Sequence, residues 1–223
     1  MKKLILGAVA LTAFTTATFA QKGKTVSLFD GKTTKGWHSY LQKDAGAWSV
    51  VDGALQLDPK APHPADLVTD GEYENYELKI DWKIAEGGNS GIIFGVKEDS
   101  TFHATYNTGI EMQVLDNEKA EDNKKPNHLA GSLYDMIAAP KNAAKPAGQW
   151  NKVVLRKDNG HLTFWLNGKE VVNVQMGSPE WQELINNSKF KNWKDFAKYP
   201  KGHIALQNHG AVVAFKNISI KQL

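Results

Sequence analysis

The sequence predicts an all-β protein, a sandwich of antiparallel sheets with one short helical insertion near 178–197. Three observations carry this reading. Apolar and polar residues alternate with a period of two in one stretch after another. Tight-turn dipeptides separate the stretches about every ten residues. Only one segment has the three- and four-residue apolar spacing of a helix.

In chain order, Lys2-Lys3, the apolar run Leu4 to Phe14 and the small residues ending at Ala20 read as a cleavable secretory signal peptide over 1–20. The run is too short and too rich in small residues for a membrane span. No cysteine follows the cut, so no lipid anchor is expected, and the protein reads as periplasmic or secreted. Residues 21–25 form a short linker, and 26–223 a single β-sandwich domain. Leu78, Ile80, Trp82 and Ile84 alternate with charges, a strand with one buried face. Ile92, Phe94 and Val96 repeat the pattern, as do Ile110, Met112 and Val114, then Leu162, Phe164 and Leu166. Asp52-Gly53, Asn159-Gly160 and Asn167-Gly168 mark tight hairpins. Asp116 to Asn127 is a polar loop. Ser178-Pro179-Glu180 opens a helix with an N-cap, a first-turn proline and an acid, followed by Trp181, Leu184 and Ile185. A second short helix is expected around Phe190, Trp193 and Phe196.

Composition excludes several classes of function. The 223 residues include no cysteine, which removes disulfides, thiolate zinc sites and cysteine nucleophiles. Removing Lys2 and Lys3 leaves 25 basic against 24 acidic residues, so the net charge falls from +3 to +1. That balance gives no basic stripe for nucleic acid. The seven tryptophans point to a stacking surface, yet alternation commits Trp82 to the core, and Trp181 and Trp193 belong to the helical insertion.

Alternation also singles out polar residues. Glu111 and Gln113 share the face opposite Ile110, Met112 and Val114, while Gln207 and His209 share the face opposite Ile204 and Leu206. Amides beside titratable groups suit a ligand floor better than a solvated face. The Glu111, Gln113, Asp116 spacing invites comparison with glycosidase pairs, whose carboxyls lie about 5–5.5 Å or 6.5–9.5 Å apart. Five residues at about 3.3 Å per residue span roughly 16 Å, and odd spacing puts Asp116 on the other face unless a bulge intervenes. Gly87-Gly88-Asn89-Ser90-Gly91 enters a strand with glycines that allow close backbone approach. Asn127 to Asp135 gathers His128, Tyr134 and Asp135 in one loop, with His128 a possible acid–base group or metal ligand. His38, His63, His103, His161 and His203 read as structural, and no metalloprotease, nucleophile-elbow, P-loop or dinucleotide motif occurs.

Seven short motifs in order extend this reading. They are Ser27 to Lys32 with Gly36-Trp37; Trp48 with Asp52-Gly53; Gly88 to Ile92; Gly109 to Gln113 with Asp116-Asn117; Gly131 to Asp135; Trp150-Asn151 with Trp165 to Gly168; and Gly202 to Gly210 leading to Phe215 to Ile218. Together they resemble the bacterial 3-keto-disaccharide hydrolase family, formerly a domain of unknown function. The resemblance implies a concanavalin A-like jelly roll related to β-glucanases. Where the glucanase catalytic strand has Glu-x-Asp-x-x-Glu, this chain has Gln113 and Asp116 in the second and third positions. A glutamine cannot ionise and an aspartate is one methylene shorter, which argues against a direct glucanase mechanism.

The family chemistry would use a C3 carbonyl to acidify the C2 proton of a 3-keto-glycoside, eliminate the C1 substituent and hydrate the product. Expected catalytic residues are Glu111, Asp116 and His128. Expected substrate-binding residues are Asn89, Ser90, Gln113, Tyr134, Asp135, Gln207 and His209. A divalent metal ion is possible, with Glu111 and His128 as candidate ligands. The expected partner is a small carbohydrate, an oxidised disaccharide or glycoside, with no nucleic acid and no membrane anchor. The alternatives are a non-catalytic carbohydrate-binding module, a conventional glucanase-like hydrolase and a protein-interaction module.

Overall fold

Hairpin chemistry sets the strand pairing. Asp52, Asn159 and Asn167 adopt φ of 50°, 49° and 53°, and the glycine after each is also positive, at 73°, 79° and 83°. Two successive left-handed residues make the turn whose twist matches antiparallel strands. The computed structural model describes residues 23–223, so the expected signal peptide (1–20) and the first two linker residues lie outside the described residues. The strands are β1 (Thr25–Ser27), β2 (Trp37–Ser39), β3 (Trp48–Val51), β4 (Ala54–Leu57), β5 (Leu67–Thr69), β6 (Tyr76–Ile84) and β7 (Asn89–Val96). They continue with β8 (Ile110–Leu115), β9 (Asn151–Asp158), β10 (His161–Leu166), β11 (Lys169–Gln175), β12 (His203–Leu206) and β13 (Val213–Gln222).

One sheet runs β11-β10-β9-β6-β13-β4-β3 with β1 added to β13, and the other runs β2-β5-β12-β7-β8. The expected inward residues face one another between them: Leu78, Ile80, Trp82 and Ile84 on one side, Ile92, Phe94, Ile110, Met112 and Val114 on the other. Phe94 and Phe164 meet edge to face across the gap at 5.9 Å, the favoured aromatic geometry. Val96 departs from the expected alternation. Gly95 takes φ 68° and the β12–β7 register slips between His203 and Ile204. This bulge turns Val96 to the outer face, where it packs with Tyr40, Val68, Ile93 and Ala205.

That outer face of the five-stranded sheet positions the site, because three segments cover it. Residues 97–108 are held by Tyr40, whose hydroxyl donates to Phe102 O at 3.1 Å. Residues 129–134 run along the free edge of β8, with Gly131 N donating to Gln113 O (2.9 Å), Gln113 N to Ser132 O (3.0 Å) and Tyr134 N to Glu111 O (3.0 Å). The third segment is the helical insertion. Helix α1 (Pro179–Asn186) is capped as expected, with Ser178 accepting from Trp181 N at 3.1 Å. The expected second helix is a single 3₁₀ turn, Lys189–Asn192, closed by Phe190 stacked on Phe196 at 3.9 Å.

Candidate functional site

Register places the floor. His38, Val68, Ala205, Ile93 and Glu111 are successive partners across all five strands of the smaller sheet, so they share its outer face. In the next row Gln113 pairs with Gly91, and Gly91 O accepts from Gln207 N at 2.9 Å. Gln113 and Gln207 therefore flank a strand position that has no side chain. A methyl group at Gly91 would sit 2.3 Å from Glu111 Oε1. The space above Gly91 is the bed in which the Glu111 carboxyl lies.

A cavity of about 330 Å³ opens over this floor, at the small end of the usual range for small-molecule sites, about 300–1,000 Å³. Asn89, Glu111, Gln113 and Gln207 line it from the sheet, with His209 just beyond β12. Tyr106 comes from the 97–108 segment, and Asp122 and Tyr134 from the long loop after β8. Lys189 and Trp193 come from the insertion, where Trp193 lies 6.0 Å from the Tyr106 ring. Two amide oxygens on the floor, Asn89 Oδ1 and Gln207 Oε1, are buried without a partner. Buried acceptors left open cost free energy until a donor arrives, and sugar hydroxyls are such donors.

Electrostatics concentrate on Glu111. Burial, first of all, drives its carboxyl from 4.5 up to about 8; the Lys189 ammonium opposes the rise, and Asp66 and Asp122 add to it. Burial against the site wall pulls Lys189 down in turn, opposed by Glu111, Asp135 and Asp122. The Lys189 ammonium sits 4.2 Å from the Tyr134 ring centre, a cation–π contact that fixes its stem. Burial and the neighbouring Asp122 raise the Tyr134 phenol, so it stays a donor, and its hydroxyl donates a hydrogen bond to Asp122 Oδ2 at 3.0 Å.

The expected residues divide into those that reach the cavity and those that stand behind it. Glu111, Gln113, Asn89, Tyr134, Gln207 and His209 line it. His128 does not: its ring is buried between two carboxylates, Nδ1 2.7 Å from Asp122 Oδ1 and Nε2 2.8 Å from Asp135 Oδ1. Asp135 stands further back and takes Lys189 N on its other oxygen at 2.7 Å. Burial pushes the Asp135 carboxyl up, but these bonds outweigh it and hold the group below the usual range. The chain Asp122–His128–Asp135–Lys189 thus braces one wall.

Asp116 and Ser90 lie apart from the cavity. The β7–β8 register runs without a bulge, so Asp116 keeps the parity of Met112 and Val114. Its Oδ2 accepts from Gly87 N at 2.7 Å and its Oδ1 from Glu118 N at 3.1 Å, pinning the β6–β7 turn. Ser90 has the parity of Ile92 and spends its hydroxyl on Gln207 O at 2.7 Å, inside the sandwich. Glu111 and His128 do not converge as a ligand pair, because both His128 nitrogens are engaged by carboxylates. Among the described residues, no three histidine, aspartate or glutamate side chains are grouped to hold a metal ion.

Sequence reasoning missed Lys189, Asp122 and Tyr106, and it set Trp193 aside as part of the insertion although that ring lines the cavity. Asp122 is one charge among many in a polar loop, and Lys189 one lysine among several in the insertion. Nothing local distinguishes either.

Comparison with known proteins places the chain in a family. Residues 24–221 match the model of the 3-keto-alpha-glucoside-1,2-lyase-like domain. A 3-keto-disaccharide hydrolase of Bacteroides thetaiotaomicron is 31% identical over 226 aligned residues, covering 89% of this chain and 78% of that protein. A candidate glycosyl hydrolase of known structure from Parabacteroides distasonis superposes with a TM-score of 0.81 at 31% identity, covering 89% and 94% of the two chains. A carbohydrate-binding module from Bacillus subtilis, 12% identical with a TM-score of 0.53 over 84% of this chain and 96% of its own, shares the fold alone.

Proposed function

The chain belongs to the 3-keto-alpha-glucoside-1,2-lyase-like family, and from this we propose that it cleaves the glycosidic bond of 3-keto-glycosides, 3-keto-disaccharides among them, by elimination across C1 and C2 followed by hydration. The observation that carries the proposal is the buried Glu111 carboxyl, raised to about 8, in a cavity that it shares with the Lys189 ammonium. A carbonyl at C3 makes the neighbouring C2 proton acidic. Glu111 takes that proton, and the C2–H electron pair moves into an enolate. Lys189 neutralises the enolate oxygen, as preorganised charge does in a dry site. The C1–O bond then breaks with its electron pair on the departing oxygen, which takes its proton from solvent by way of His209, exposed at the cavity lining. Water adds across C1 and C2 to complete hydrolysis. Asn89 and Gln207 accept from ring hydroxyls with their open amide oxygens. His128 acts as a positioning residue through Asp122 and Asp135.

This division of labour needs one base, whereas a conventional glycosidase needs two carboxyls across the bond. Asp116 is committed to the Gly87 turn, and Asp122 has both oxygens engaged, by His128 and by Tyr134. A pure binding module has no use for a buried carboxyl held in reserve, since burying it costs stability.

Purified protein offered a 3-keto-disaccharide and its unoxidised parent tests the reading. Wild type consumes the keto sugar only, and Glu111→Gln lowers kcat about 10²–10⁴-fold, the usual contribution of a positioned base. Because the base works ionised, kcat/KM rises with pH through about 8. No turnover of the keto sugar sinks the proposal, and equal turnover of the parent hands it to a glycosidase. We also propose that the protein is exported to the periplasm or beyond, on the strength of the 1–20 signal-peptide pattern. Mass spectrometry of the secreted form then gives a chain starting at Gln21, and retention of Met1 overturns export.

A further inference from the structure

Asp66 precedes β5, does not line the cavity, and has no part in the chemistry above. Its carboxylate nonetheless joins two segments that do line it. One oxygen, Oδ1, accepts from Asn208 N at 2.8 Å, between Gln207 and His209. The other accepts from the Thr105 hydroxyl, next to Tyr106. Its backbone carbonyl accepts from Tyr40 N at 2.8 Å, which fixes the residue to the apolar cluster under the 97–108 segment. The Thr105 side chain is wholly buried, whereas Tyr106 remains 42% exposed. The aromatic wall is therefore free at its tip, and the Asp66 carboxylate is the group that ties its root to the Gln207–His209 segment.

We propose that Asp66 is a positioning residue of the reaction, a single carboxylate that fixes the Tyr106 wall against the Gln207–His209 wall and places a second negative charge near Glu111. The proposal rests on the reading of Glu111 as the base. Supporting it, the Asp66 charge reaches Glu111 and adds to burial in disfavouring the ionised form. The charged groups acting on Glu111 are Lys189 from the insertion, Asp122 from the loop after β8, and Asp66; His209 acts on Asp66 itself. Removing the Asp66 charge while keeping its shape makes Glu111 easier to ionise. Removing the Thr105 link loosens a wall and also weakens the Asp66 charge, because that hydrogen bond opposes the burial that raises the Asp66 carboxyl.

Three variants separate these effects, read as kcat and KM for a 3-keto-disaccharide across pH. Asp66→Asn keeps both contacts, since an amide can accept from Asn208 N and donate to a turned Thr105 hydroxyl. It moves the acid limb of kcat/KM down by about half a pH unit with KM near wild type. Thr105→Val removes the link, so KM rises about threefold or more, and the limb moves down no further than in Asp66→Asn. Asp66→Ala does both and lowers kcat/KM about tenfold. If Asp66→Ala does not fold, as its near-ultraviolet circular dichroism would reveal, the other two variants carry the test. An acid limb unmoved in Asp66→Asn, or a wild-type KM in Thr105→Val, overturns the proposal. Glu111→Gln is measured alongside: retained turnover there means that the base reading has failed, and the KM arm still judges the link by itself.

Discussion

Glu111 can lie flat on its sheet because residue 91 offers nothing but backbone. A Cβ there would approach Glu111 Oε1 to 2.3 Å and Cγ to 2.9 Å, closer than real contacts allow. The Gly91 backbone itself is not in the left-handed region, so alanine is conformationally acceptable. Gly91→Ala is accordingly expected to fold with a Tm close to wild type while kcat/KM drops about 10²-fold, the scale of a misplaced catalytic group. Unchanged kcat/KM in a folded Gly91→Ala protein would show that the carboxyl does not need its bed. At this scale the sequence was legible wherever parity applied. Glu111, Gln113 and Gln207 could be placed on one face from alternation. The same parity already put Ser90 with Ile92 and Asp116 with Val114, so the two residues that stand away from the cavity obey the rule that found the others.

Single strands and hairpins were legible because their signals are local: turn dipeptides at β3–β4, β9–β10 and β10–β11, and alternation through β6, β8 and β10. The bulge at Gly95 was not. It depends on how β12 docks beside β7, with Gly202 packed so tightly that a Cβ would lie 2.6 Å from Val96 O. A lone glycine in a strand pattern hints at a bulge but does not say which neighbour imposes it. The insertion was legible as helix at Ser178–Pro179–Glu180, where capping is a sequence property. Its continuation as a 3₁₀ turn is set by the Phe190–Phe196 stack and by Asp135 gripping Lys189 N, neither of them visible along the chain.

The whole molecule assembles what no stretch of sequence contains. Asn89, Tyr106, Glu111, Asp122, Tyr134, Lys189 and Gln207 meet because the five-stranded sheet interleaves early and late strands, β12 between β5 and β7. The assembly has a pH signature in stability. Glu111 titrates at 4.5 ordinarily and at about 8 when folded. The folded state thus keeps a proton that the unfolded chain releases, and this contribution, complete below about pH 4.5, is lost as pH rises through about 8. Glu111→Gln cannot titrate and escapes the loss. Its Tm should gain on wild type by a few degrees between about pH 6 and about pH 9, a difference of about 1–2 kcal/mol. Parallel melting curves over that range would refute the burial argument.

Residues 129–134 give the site its tyrosine and also occupy the hydrogen-bonding edge of β8. An uncovered strand edge is a template for other chains. Solubility and sugar chemistry are therefore written into the same six residues. Evolution cannot widen the pocket there for a bulkier glycoside without also baring a sticky border, so new specificities have a freer path through the Tyr106 and Trp193 walls.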